Sequence, residues 1–185
     1  MLISREREKL IHTVSFFASN VEKCGKVKLF KLLYFLDFEH YKITGRSVTG
    51  MDYYAWRMGP VPTALYAEID SPEPDMAQAL RFVEMPIKGG SQRMLQIIVN
   101  KSFDDTLFTK RELKIMNDLV REYKASTADE MIEATHLENL PWHKVYSQPN
   151  GDRALIPYEL SFRLDEKEEM MRVADERKAF VSSLA

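Results

Sequence analysis

Asp37 and His40 are the residues best placed for chemistry in this 185-residue chain. They stand three apart in the apolar run "KLFKLLYFLDFEHY", so on a helix they share one side. Asp37 continues the stripe of Phe30, Tyr34 and Tyr41, where a carboxylate needs a partner because an unpaired buried charge is costly. Two readings follow. In one, Asp37 and His40 form the acid/base pair of a hydrolase-type enzyme, with His136 as a further member. In the other, Asp37 is a satisfied polar contact that fixes a neighbouring loop. The second is favoured, because no Ser, Thr or Cys occupies a nucleophile motif beside them.

Other chemistries find less support. The four histidines are His12, His40, His136 and His143, and none falls in a metal-ligand spacing. Pro141 interrupts the helix that His136 and His143 would need to share. No metal or other cofactor is expected. Cys24 is the single cysteine, which excludes an internal disulfide and suits a reducing compartment. Lys23 and Lys26 flank it and would lower its thiol pKa, although a packing role is the simpler reading. "GKVK" lacks the spacing of a phosphate loop. Lys23, Lys26, Lys28 and Lys31 would suit a DNA-binding autorepressor if they formed a surface stripe, or simply a solvated helix start. Net charge −2 gives no basic excess, so nucleic acid is not an expected partner. "MLISREREKLIHTV" does not read as a signal peptide and no apolar run is long enough to cross a bilayer. A cytoplasmic protein is expected.

Large side chains are the other candidates. Trp56 and Trp142 each bury a large area and want a partner for the indole N–H. Both are read first as core. Trp, Tyr and Arg are also enriched where partners dock, which brings in Trp56, Arg57 and Tyr66.

The elements that position these residues are mostly helical. Apolar spacing predicts helices over 5–22 and 26–43, the second apolar on nearly every side and therefore central. A strand is expected over 51–58, with Tyr54, Trp56 and Met58 on one face and Trp56 carried into the core. Gly59-Pro60 should break it, with Pro62 opening a short helix to Ile69. A short helix over 76–84, a turn at "PIKGGSQ" and a strand over 93–100 follow. The two strand regions are expected to share one small sheet. Thr109 and Thr127 begin capping boxes, for helices to Tyr123 and His136. Pro141-Trp142 begins one more turn or helix. Residues 157–184 read as helical in part. The expected fold is α+β and mostly α, a helical domain over 1–164 around a central apolar helix with a small antiparallel β element. A charged helical extension over 165–185 is an arm or a homodimerising surface.

Two motifs make the reading more specific. "KLFKLLYFLDFEHYKITGRSVTGMDYYAWRMGPVPTALY" carries Lys28-Leu29, Lys31 to Phe35, Thr44 to Arg46, Ala55-Trp56, Gly59-Pro60-Val61 and Leu65-Tyr66. A later segment carries Thr135-His136 and Pro141-Trp142. In this order they resemble the Panacea domain family, the SocA-like and phage-associated GepA-like proteins, over about residues 5 to 160. The resemblance implies a non-enzymatic antitoxin from a toxin–antitoxin or phage-borne locus. It would neutralise a cognate toxin protein by direct contact, in some members as an adaptor to a protease. No catalytic activity attaches to such a domain. The 45–69 stretch would then be a rigid corner that presents a surface, with Gly59 and Pro60 turning the chain.

Overall fold

The computed structural model describes residues 5–86, 93–137, 140–162 and 167–183. Helix α1 (Glu6–Asn20) packs beside helix α2 (Lys26–Thr44), which runs through the middle of the molecule. Gly25 precedes α2 in extended backbone, and Gly45 ends it in the left-handed region at φ 67°, donating its N–H to the Tyr41 carbonyl. Leu29, Leu32, Leu33 and Leu36 of α2 are fully buried. Each such side chain stabilises the fold by about 1.5–3 kcal/mol.

A tight hairpin follows. Strand β1 (Tyr54–Trp56) pairs antiparallel with β2 (Gly59–Val61), placing Trp56 opposite Gly59. Residues 153–156 pair along the other edge of β1, through Ala55 N–H to Ala154 and Ile156 N–H to Tyr53. Two expectations change here. The strand is shorter than 51–58, and Gly59-Pro60 joins a second strand instead of ending the element. Tyr53 and Ala55 are the buried face, while Trp56 is only half-buried. Tyr53 takes the interior side, where its hydroxyl donates to Asp37.

Helices α3 (Thr63–Glu68) and α4 (Pro74–Ala79) come next. Pro62 sits just before α3, and Pro74 occupies the first turn of α4, where its missing N–H costs nothing. Arg7 on α1 ties both down by fork-like bonds to Glu68 and Asp75 at 2.5–2.9 Å. The helix expected over 76–84 ends at Ala79. Strand β3 (Leu80–Pro86) begins there and pairs in register with β4 (Arg93–Val99), Leu80 opposite Val99. This hairpin is a second sheet, not an extension of the first. The turn expected at "PIKGGSQ" lies outside the described residues.

Helices α5 (Lys110–Tyr123) and α6 (Ala128–His136) both open on complete capping boxes. Thr109 accepts from the Glu112 N–H, and Thr127 accepts from the Glu130 N–H. Helix α7 (Pro141–Tyr146) and a 3₁₀ turn at Tyr158–Ser161 pack on the hairpin and on α2. Helix α8 (Lys167–Ser182) meets the far end of α2, where Ala174 closes over Gly45. The fold is α+β, mostly α, with two small antiparallel sheets among the described residues. Among the described residues no helix is long and apolar enough to cross a membrane.

Candidate functional site

Asp37 is fully buried, and four hydrogen bonds converge on it. The N–H groups of Val48 and Thr49 donate at 2.7 and 2.8 Å, the Tyr53 hydroxyl donates at 2.7 Å, and the Thr49 hydroxyl donates as well. Burial pushes the carboxyl up, and these four bonds oppose it. The carboxylate staples the loop after α2 to the helix that precedes it.

His40 is turned elsewhere. Its Nδ1 lies 2.7 Å from the Arg46 carbonyl, which only accepts, so the ring proton is on Nδ1. Burial lowers its pKa. His40 lines a polar cleft with Lys9 and Glu112, which are ion-paired at 2.6 Å. No hydrogen bond joins it to Asp37 among the described residues, so the structure does not assemble the acid/base pair. Cys24 is buried, and its thiol is pushed up to about 12; desolvation outweighs the nearby Lys28. Among the described residues no group of three or more His, Cys, Asp or Glu is placed to hold a metal ion.

The lysine stripe dissolves too. Lys28 and Lys31 are 4% and 2% exposed. Lys28 donates to the Glu22 carbonyl at 2.6 Å, and Lys31 donates to the Pro60 carbonyl at 3.1 Å. With half the stripe inside, it is not a surface track for a nucleic-acid backbone. Desolvation alone lowers the Lys31 pKa to about 7.

Lys31 marks where the separated motifs meet. Gly59 lies directly against it at φ 96°, and a Cβ there would stand 2.7 Å from both Lys31 Nζ and Thr135 Oγ1. Only glycine lets the hairpin, α2 and α6 approach so closely. Next to Thr135, the His136 ring stacks on Trp142 at 3.9 Å, and Trp142 stacks on Tyr146 at 4.6 Å. The Trp142 indole N–H donates to the Trp56 carbonyl at 3.0 Å, and its backbone N–H donates to the Tyr34 hydroxyl at 3.2 Å. Pro141 is buried at the start of α7 and sets the approach of that tryptophan. Trp142 is thus core, whereas the buried Nε2 of His136 has no hydrogen-bond partner among the described residues.

On the outer side of this junction lies a cleft of about 410 Å³. Phe30, Trp56, Met58, Val61 and Tyr66 give it an apolar surface. Trp56 and Tyr66 pack at 5.3 Å, and Tyr66 and Phe30 at 6.2 Å. Met58 is 56% exposed and Tyr66 37%, so the apolar surface is open. Of the residues singled out in the sequence, Lys26, Lys31, Trp56, Arg57 and Tyr66 line this cleft. Gly59, Pro60, His136, Pro141 and Trp142 build the junction around it, and Asp37 and His40 stand apart from it.

A sequence model described as "Antitoxin SocA-like, Panacea domain" matches residues 29–143. The chain belongs to this family. No curated protein matches the chain, and no solved structure does. The matched segment of the Panacea domain runs from Leu29 in the first turn of α2 to His143 and so contains the whole junction, from Lys31 to the His136–Trp142 stack. Lys26, Asp152 and Arg153, which complete the cleft rim, lie outside it.

Sequence reasoning missed Phe30, Met58, Asp152 and Arg153 as cleft residues, and it placed Lys31 in solvent. The position of Lys31 between Phe30 and Leu32-Leu33 was a local sign of burial. Arg153 had no such sign, because its place over the Trp56 ring depends on long-range strand pairing.

Proposed function

We propose that this chain is an antitoxin that silences a cognate toxin protein by direct, non-covalent contact, with the open apolar cleft as the gripping surface. The observation that carries this reading is the exposed Met58–Tyr66–Trp56 surface standing on the junction of the family's own motif residues. An apolar patch on a well-packed base is the usual form of a docking site. Rigidity supports it further. Gly59, Lys31 and the His136–Trp142 stack fix the hairpin before any partner arrives, which lowers the ordering cost of binding. The four hydrogen bonds that commit Asp37 to the loop after α2, and the sealed Cys24, support a non-enzymatic role.

The test is co-expression with the product of the adjacent gene. The wild-type chain is expected to restore growth and to co-purify with that product. Met58→Asp and Tyr66→Ser change exposed side chains and should leave the circular dichroism spectrum intact while losing both effects. Neutralisation that survives both substitutions would refute the assignment of the cleft. An adjacent product that is harmless when expressed alone would refute the antitoxin reading.

A further inference from the structure

The cleft carries charge as well as apolar surface. Lys26 Nζ lies 4.5 Å above the Tyr66 ring, and the Arg153 guanidinium lies 5.1 Å above the Trp56 ring. Arg57 is exposed on the same rim. Asp152 is the acidic residue lining the cleft, and Asp70 reaches Lys26 only at 3.9 Å while largely in solvent. Neither Arg57 nor Arg153 forms an ion pair among the described residues. Three cations therefore surround an aromatic surface and remain available to an incoming group. The rings hold Lys26 and Arg153 in place by cation–π contact without neutralising them.

We infer that the cleft takes an acidic segment of a partner protein, one aromatic or large aliphatic side chain flanked by Asp or Glu residues. This rests on the proposed antitoxin reading and names the chemistry of its partner. The apolar side chain fills the surface formed by Phe30, Trp56, Met58 and Tyr66, and the flanking carboxylates meet Lys26, Arg57 and Arg153. A basic segment would face the same three cations and be repelled, so the rim sets specificity while the surface beneath supplies contact. The volume suits one or two large side chains and not a whole folded element. Lys26 and Arg153 lie outside the family match, so the acidic preference is inferred for this chain alone.

The probe is a blocked synthetic peptide, acetyl-Gly-Glu-Glu-Phe-Glu-Glu-Gly-amide, titrated into the full chain by calorimetry and by the NMR signals of the two indoles. The Glu peptide should move the Trp56 signal, whereas the hydrogen-bonded Trp142 indole should move less. Replacing the four Glu by Lys should weaken binding about tenfold or more, the sum of several exposed ion pairs. Replacing Phe by Ala should also abolish the Trp56 shift. The double variant R57E/R153E alters exposed side chains only and should reverse the preference towards the Lys peptide. Equal affinity for the Glu and Lys peptides would overturn the inference, as would no binding of the Glu peptide at millimolar concentration. If charge preference is absent but Met58→Asp still abolishes neutralisation, this inference alone fails. If the Glu peptide binds but neutralisation is indifferent to Met58→Asp, the use of the cleft as the antitoxin surface fails.

Discussion

Replacing Lys31 by Met should stabilise this protein at neutral pH, and the gain should vanish as the solution becomes alkaline. Lys31 is buried, it donates to one neutral carbonyl, and burial moves its pKa from 10.5 to about 7. Such a displacement corresponds to about 5 kcal/mol against the charged amine in the folded state. Methionine fills similar space without a charge, at the loss of the Pro60 hydrogen bond, which costs about 1–3 kcal/mol once the buried carbonyl is left alone. The net expectation at pH 7 is a gain of about 3 kcal/mol, or about 6–12 °C in Tm for a chain of this size. The pH dependence fixes the cause. Below about pH 7 the amine is protonated in both the folded and the unfolded chain, and the burial penalty is felt in full. Between about 7 and 10.5 only the unfolded chain holds the proton, so native stability rises with pH. The advantage of Lys31→Met should therefore fall by about 1.4 kcal/mol per pH unit and be spent near pH 9. Urea unfolding of both chains at pH 7, 8 and 9 provides the test, and taking the difference cancels the other titrating groups. A variant less stable than wild type at pH 7, or a difference that does not change with pH, would refute the account of Lys31.

Asp37→Asn puts an amide donor where four donors already converge, and should cost about 2–4 kcal/mol in urea unfolding. Hydrogen exchange at the Val48 and Thr49 amides should accelerate by more than global destabilisation explains; unchanged relative protection would contradict the staple. Gly59→Ala should cost about 2–3 kcal/mol, because the new Cβ meets Lys31 and Thr135 in left-handed backbone. If Gly59→Ala melts with the wild type, the close junction of hairpin, α2 and α6 is wrong.

Much of the helical frame was legible in the sequence because its signals are local. The capping boxes at Thr109 and Thr127 place their helices to the residue, and the all-round apolar character of 26–43 marks the central helix. The strands read less well. Residues 51–58 alternate, but which alternate face is buried depended on Asp37, a hydrogen-bond partner on another element. At 76–84 the helix gives way to strand at Leu80, where pairing with β4 outweighs local preference. The candidate site was half visible. Trp56, Arg57 and Tyr66 stand close in sequence and come together, but Asp152 and Arg153 arrive from a segment about 95 residues later, whose approach no local pattern encodes.

The two ends of α2 are committed to different tasks. Its first turns, from Lys26 to Lys31, contribute to the cleft, and its C-terminal glycine is covered by Ala174 of the last helix. At 1.5 Å per residue, Lys31 and Gly45 are separated by roughly 21 Å along the axis. A label placed on exposed Asp175, beside Ala174, therefore sits at the opposite pole of the central rod. Immobilising the molecule through that label would leave its aromatic mouth facing the solution.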